Sequence, residues 1–340
     1  MKAVVYSQTG GPDVLRLVER PAGEPGPGEV RVKVRVSGVN PTDWKARRGG
    51  RGGTELAYPE VVPNQDGAGT IDAVGDDVAG SRVRERVWLW EAAWQRPDGT
   101  AQEAVVIPAR QAVRLPDEVS FDVGASLGIP ALTAHRCLTV SELGPRKLSP
   151  GALARQTVLV AGGAGAVGHA AIQLARWAGA RVISTVSSNE KAKLALAAGA
   201  EQVVNYRTGD APKEIRRLAP EGVDVVVEVA PAANAALNDA VLAPNGTVAA
   251  YATGGGNELE LKVSELMFRN LRYQFVLVYT VAAAAKDQAV ADVAAAVADG
   301  VLTVGEDAGL PLHRFPLEQT AEAHTAVERG AVGKVLIDVC

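Results

Sequence analysis

The stretch Thr157 to Gly168, TVLVAGGAGAVG, decides the fold. Its first five residues have an apolar centre and read as a buried strand. They run directly into Gly163-x-Gly165-x-x-Gly168, after which apolar residues recur at helical spacing. Strand, glycine turn and helix in that order make a cradle for a dinucleotide. Gly163 permits the tight turn, Gly165 lets the backbone approach a pyrophosphate, and Gly168 lets the helix lie against the strand. The backbone of Gly163, Ala164, Gly165, Ala166, Val167 and Gly168 is therefore the candidate phosphate site, with free N–H groups and the positive end of a helix dipole. An ordinary glycine turn is the alternative; the flanking strand and helix argue against it.

Downstream, helix and strand alternate: helix Val167 to Ala178, strand Arg181 to Val186, helix Glu190 to Ala198, strand Glu201 to Asn205. A helix near Ala211 to Leu218, a strand at Val223 to Val229, a helix near Ala232 to Leu242 and a strand at Thr247 to Tyr251 continue the pattern. The apolar run Tyr273 to Thr280 completes a predicted six-stranded, doubly wound parallel sheet. An alanine-rich helix, Ala282 to Asp299, and a final strand, Lys334 to Val339, follow. Upstream the chain reads as closely spaced short strands, clearest where Val30, Val32, Val34 and Val36 alternate with Arg31, Lys33 and Arg35. Other strands are expected at Lys2 to Tyr6, Ala68 to Val74, Glu85 to Leu89 and Gln102 to Ile107, which suggests a barrel. The predicted class is α/β: a β-rich domain over 1–124, a nucleotide-binding domain over 125–281, and a segment, 282–340, that returns to complete the first.

With 340 residues the chain is longer than a single core usually supports, so two domains are expected. A hydrophobic share of 47% and a charged share of 22% describe an ordinary globular protein. The formal net charge of -4 offers no electrostatic footprint for nucleic acid or an anionic membrane. No apolar run is long enough to span a bilayer and the N-terminus lacks a signal-peptide core, so a cytoplasmic location is expected. Cys137 and Cys340 have no CxxC neighbour and read as a core residue and a free thiol.

NAD-binding sheets of this kind place an acidic residue at the end of the second strand, on the ribose 2'-hydroxyl. Here Ser187, Ser188 and Asn189 stand there. The nearest acid, Glu190, reads as the far half of a capping box with Ser187. Lys191 in the first turn of a helix opposes the helix dipole, a conflict that a 2'-phosphate resolves and that a lysine pointing into water also resolves. NADPH is therefore expected rather than NADH. Tyr206 either reaches the adenosine phosphate or packs in the core.

A β-rich domain, a nucleotide-binding unit and a returning segment, in that order, resemble the medium-chain dehydrogenase/reductase superfamily over essentially the whole chain. Its zinc alcohol dehydrogenases carry a GxCxxD-like stretch and a Gly-His-Glu. This chain has Gly38-Val39-Asn40-Pro41-Thr42-Asp43 and Asn64-Gln65-Asp66-Gly67 instead, so the Cys and His ligands are gone and no metal is expected. His135, His169, His313 and His324 have no partner at ligand spacing. The zinc-free branch it resembles is the zeta-crystallin-like quinone oxidoreductases. The carrying residues are Gly38 to Pro41, Val158 to Val160 with the glycine loop, Asn205-Tyr206-Arg207 and Gly333-Lys334-Val335.

That resemblance implies a GroES-like barrel with a Rossmann domain, hydride transfer to a quinone or α,β-unsaturated carbonyl, and a homodimer built on a valine-rich edge strand at Phe275 to Thr280. It implies Asn40 near the nicotinamide ribose, Thr133 near the cofactor and Tyr206 near the 2'-phosphate. Val229, Phe275, Val276, Leu277 and Lys334 are further implied cofactor contacts. Asn40 also reads as a helix cap, since Asn-Pro-Thr-Asp starts helices well. Asn40-Pro41-Thr42-Asp43-Trp44-Lys45 is similar to the enone and quinone reductases with N-P-x-D-x-K. A positioned Lys45 ammonium would stabilise the enolate formed when hydride adds to an enone; a solvated surface lysine is the alternative. Asp43 either orients Lys45 or caps the helix. Arg47 to Gly53 reads as a basic loop, solvated or closing over the site. An enoyl reductase with a dedicated substrate and a non-catalytic NADPH-binding sensor remain competing readings.

Overall fold

The computed structural model describes residues 1–50 and 55–340. Arg51, Gly52 and Gly53 of the predicted basic loop lie outside the described residues. In chain order the strands are β1 (Lys2–Val5), β2 (Arg16–Glu19), β3 (Glu29–Val39), β4 (Asp66–Val74), β5 (Arg86–Leu89), β6 (Ala104–Pro108) and β7 (Ala112–Arg114). They continue with β8 (Thr157–Ala161), β9 (Arg181–Val186), β10 (Gln202–Asn205), β11 (Val223–Glu228), β12 (Leu242–Ala250), β13 (Arg272–Phe275), β14 (Leu312–Pro316) and β15 (Lys334–Asp338). The helices are α1 (Pro41–Arg47), α2 (Phe121–Leu138), α3 (Ala166–Trp177), α4 (Asn189–Ala197), α5 (Ala211–Leu218), α6 (Pro231–Val241), α7 (Val263–Phe268), α8 (Ala283–Ala298) and α9 (Thr320–Glu328).

The chain divides into two units. The first is Met1–Ile129 with Leu312–Cys340. It holds a seven-stranded sheet ordered β14-β15-β3-β4-β5-β7, with β6 also on β3, and a β1–β2 pair. The predicted valine alternation is its backbone: Val30, Val32 and Val34 are buried and pack with Ile71, Val87 and Val105, Val36 packs with Ala68 and Leu336, and Lys33 and Arg35 face solvent. β3 runs on through Ser37-Gly38-Val39, because this end pairs with both β4 and β15 and is covered on both faces. Alternation alone does not reveal a strand buried on both sides.

The second unit is Pro130–Pro311, with a six-stranded parallel sheet ordered β10-β9-β8-β11-β12-β13. This is the doubly wound order, reversing direction between β8 and β11 directly beyond the glycine turn. Fully buried Leu159, Ile183, Val226 and Val248 form its core with Ile215 of α5.

Three expectations are corrected. The returning segment begins at Leu312, not at 282, because α8 belongs to the second unit, where the Asp292 carboxylate receives the Leu148 N–H and meets His135 Nε2 at 2.8 Å. The first boundary falls at Ile129–Pro130 inside α2, not at Gly124. The sixth strand is short, Arg272–Phe275, after which the backbone turns into a 3-10 helix at Val278–Thr280; the edge is therefore not valine-rich.

Candidate functional site

The glycine loop divides its labour differently from the sequence expectation. The turn is made by Gly162, whose φ of +72° is open to glycine and costly for other residues. Gly163 is required for packing instead, since a Cβ there would collide with the Ser184 hydroxyl and stand 2.8 Å from Ile172 Cδ1. Gly168 behaves as expected: a Cβ would press on the Gly162 carbonyl and lie 2.9 Å from Gly163 Cα, so only glycine lets α3 lie against the loop. Gly165 is the N-cap of α3, is exposed, and a Cβ there would meet nothing nearer than Gly162 O at 3.5 Å. Open space above a helix N-terminus of eight or more residues, at the carboxyl end of β8, suits a pyrophosphate. Val229 borders the same loop, its Cγ1 lying 3.3 Å from the Cβ position of Gly162.

At the end of β9 the helix begins at Asn189, one residue earlier than expected, and its cap lies one residue later. Ser188, not Ser187, caps α4, its Oγ accepting the Lys191 N–H at 3.3 Å. Ser188 is extended, at φ -158°, while the Ser187 hydroxyl turns to Lys191 Nζ at 3.1 Å. The Glu190 carboxyl is held below its usual range by its own backbone N–H and by the Ser188 hydroxyl. An ammonium and a hydroxyl thus sit together where an NAD site has an acid. Tyr206 follows β10, its N–H on Val186 O and its side chain 48% exposed, which settles the core alternative against it. Thr133 is buried on α2. Among the residues after β12, Phe275 and Leu277 are exposed and Val276 is buried, its N–H on Ala250 O.

In the first unit, Asn40 sits between β3 and α1 with three polar atoms engaged. Its N–H donates to Asp43 Oδ2 at 2.6 Å, its Nδ2 donates to Asp66 Oδ2 at 2.7 Å, and its Oδ1 accepts from Lys334 Nζ at 2.8 Å. Asp43 therefore caps the start of α1 and does not orient Lys45. Asn40 and Asp43 together form a capping box at the start of α1. Lys45 is exposed, with Nζ 5.7 Å from the Trp44 ring centroid, on which Arg48 also lies. Lys334 is 1% exposed and turned inward, its Nζ 3.4 Å from Asp66 Oδ2. Burial pushes Lys334 down while the Asp66 charge holds it up, and burial pushes Asp66 up against the pull of Lys334. Burial also raises Asp43 to about 8, against the Asn40 N–H.

Asp66 is the residue that sequence reasoning missed, although its signal was present in Asn64-Gln65-Asp66, the tripeptide standing in place of Gly-His-Glu. The donors at the positions of the Cys and His ligands are engaged with other groups. The Asn40 oxygen is taken by an ammonium and Gln65 Oε1 accepts the Ala93 N–H at 3.1 Å, so these residues do not fit a zinc ion. Among the described residues no group of three or more His, Cys, Asp or Glu side chains converges on a metal position.

Residues 26–117 match the alcohol dehydrogenase GroES-like domain, and 166–296 match the zinc-binding dehydrogenase domain. A solved NAD-dependent alcohol dehydrogenase is 30% identical with a TM-score of 0.84, covering 100% of both chains. A mycobacterial protein solved in complex with NADPH is 31% identical with a TM-score of 0.80, covering 99% of both. A quinone oxidoreductase from Lama guanicoe is 30% identical over 346 residues, 99% of this chain and 97% of the relative. With a GroES-like domain, a Rossmann-type sheet and a relative matching from end to end, the chain is an oxidoreductase that belongs to the quinone oxidoreductase family of medium-chain dehydrogenase/reductases.

Proposed function

We propose that this protein is an NADPH-dependent reductase of quinones or α,β-unsaturated carbonyls that works without zinc in the cytoplasm. The observation that carries the cofactor assignment is the pairing of Lys191 Nζ with Ser187 Oγ at the end of β9, with the exposed Tyr206 joined to that strand through Val186 O. A 2'-phosphate would receive charge-assisted hydrogen bonds there, each contributing about 1.5–3 kcal/mol. Lys191→Ala is accordingly expected to weaken NADPH binding by about 10- to 100-fold and NADH binding by less than about threefold, measured by titration of each cofactor. Equal losses would remove the phosphate assignment.

The bound cofactor supplies hydride, which a quinone or enone accepts because its double bond is already electron-poor. Lys45 is the candidate for the charge that develops on the carbonyl oxygen. Its contact with Trp44 is worth only about 0.5–1 kcal/mol, little enough to release the ammonium to a substrate oxyanion. Lys45→Ala is expected to lower kcat by about 10-fold or more while leaving NADPH affinity unchanged. The test of the whole reading is consumption of NADPH by the purified protein over a panel of quinones, alkenals and cyclic enones. Turnover of one of these classes supports it, and tight NADPH binding without any acceptor would favour a sensor.

We also propose a homodimer through the open side of β13. Among the described residues that strand pairs only with β12, and Phe275 and Leu277 beside it and Val263, Met267 and Phe268 on α7 are exposed, Phe268 at 90%. An unpaired edge flanked by apolar side chains is best covered by a second copy. Light scattering is expected to give twice the 35.3 kDa chain mass, and a monomer mass would contradict the proposal.

A further inference from the structure

We propose that Asp66 and Lys334 are positioning residues that lock the Asn40 side-chain amide in one orientation, an inference that rests on Asn40 facing the cofactor. Strand register brings the three together. Asp66 pairs with Gly38 on one side of β3, Val335 pairs with Val39 on the other, and Asn40 is the next residue of the chain. Two glycines clear the space. A Cβ at Gly38 would lie 3.1 Å from Lys334 Cε, and one at Gly128 would lie 2.6 Å from Asp66 Cγ.

The charges decide which way the amide points. Its oxygen faces the ammonium at 2.8 Å and its nitrogen faces the carboxylate at 2.7 Å. The flipped amide would set NH2 against an ammonium and a carbonyl against a carboxylate, two repulsions at a site buried from bulk solvent. The other Asp66 oxygen is fixed by the Ile129 N–H at 2.8 Å, so the carboxylate cannot swing to follow a moving amide.

The arrangement is more than a helix start requires. A capping box needs only the exchange between Asn40 and Asp43, and Asp66 and Lys334 take no part in it. Burying a carboxylate and an ammonium costs several kcal/mol per ion, and a buried pair replaced by apolar groups is often no less stable. What this expenditure secures is direction: one Nδ2 hydrogen remains, aimed the same way in every molecule. Such a fixed donor fits a hydroxyl of the nicotinamide ribose. Lys334 acts through Asn40 here and does not contact phosphate.

The test reads the amide itself. Asn40 side-chain NH2 exchange is followed by 1H–15N NMR in the full chain, the signals being assigned with Asn40→Ala. Slow exchange is expected in the wild type and exchange at least about 10-fold faster in Asp66→Asn and Lys334→Met. Alongside, kcat should fall about 10- to 100-fold in each, with NADPH Kd changed by less than about threefold and with no further loss when either is added to Asn40→Ala. Unchanged exchange, additive losses or a large rise in NADPH Kd for Lys334→Met would each overturn the proposal. If one unpaired charge prevents folding, the neutral pair Asp66→Asn/Lys334→Met carries the same test. Absence of NADPH turnover in the wild type would strike the functional reading alone, because amide exchange still decides whether Asn40 is locked.

Discussion

Gly165→Ala is expected to fold normally and to lose NADPH, whereas Gly168→Ala is expected to lose both cofactor and stability. The two glycines lie three residues apart in one motif, and their surroundings are opposite. At Gly165 an added methyl meets only the Gly162 carbonyl at 3.5 Å, an ordinary contact, and the backbone there, at φ -89°, accepts alanine. The methyl would occupy the space assigned to the pyrophosphate. At Gly168 it would be driven into the Gly162 carbonyl and Gly163 Cα, backbone atoms that no rotamer change can move. Overpacking of this kind costs about 1–3 kcal/mol and pushes α3 away from β8, taking its N–H groups with it. Misplacement by about 1 Å is enough for a 100-fold effect. Thermal melts and NADPH titrations of both variants check this. A melting temperature for Gly165→Ala close to the wild type, with NADPH affinity at least about 100-fold lower, is the predicted pair of results; unchanged affinity would separate the loop from the cofactor.

Asp43 gives the second large effect, a dependence of stability on pH. Burial raises its carboxyl from 3.8 to about 8, with the nearby Asp66 charge adding to the rise and the Asn40 and Gln65 N–H groups and Lys334 opposing it. Tyr6, itself raised to about 12 by burial and then by the Asp43 charge, with Arg47 opposing, is coupled to the same carboxyl. The folded state therefore keeps a proton that the unfolded chain has already released. Stability from this group is complete below the unfolded value near 3.8 and is lost as pH rises through about 8. The slope is at most about 1.4 kcal/mol per pH unit. Asn at this position cannot ionise and still offers an oxygen to the Asn40 N–H. Denaturant unfolding at pH 5 to 9 is thus expected to show the difference between Asp43→Asn and the wild type growing in the variant's favour as pH rises; parallel curves would contradict it.

Much of this architecture was legible because it obeys short-range rules. The glycine motif between strand and helix, the 2-residue rhythm of Val30 to Val36 and the helix–strand alternation after Thr157 depend on neighbours in sequence, and the structure repeats them. The losses came where distant residues decide. β3 extends to Val39 because β15, nearly three hundred residues later, covers its end. The run after Phe275 has the composition of a strand but turns into a 3-10 helix, and α8 joins the second unit through contacts with His135 and Leu148. The site followed the same division. Lys191 and Tyr206 stand out as candidates from their places after β9 and β10, whereas Asn40 reads locally as a helix cap and became a candidate only through the family resemblance. That Lys334 points at Asn40, and that Asp66 completes the cluster, depends on the order of strands in the sheet.

The most direct measurement of the central claim uses NADPH deuterated at C4 of the nicotinamide, supplied with a cyclic enone or a quinone from the panel. For an enone, mass spectrometry of the product is predicted to find the deuterium on the β-carbon, transferred in step with loss of the reduced-cofactor absorbance. Cofactor that stays reduced with every acceptor, or an enone product formed without the label from NADPH carrying deuterium at both C4 positions, would contradict hydride transfer from nicotinamide to an electron-poor double bond.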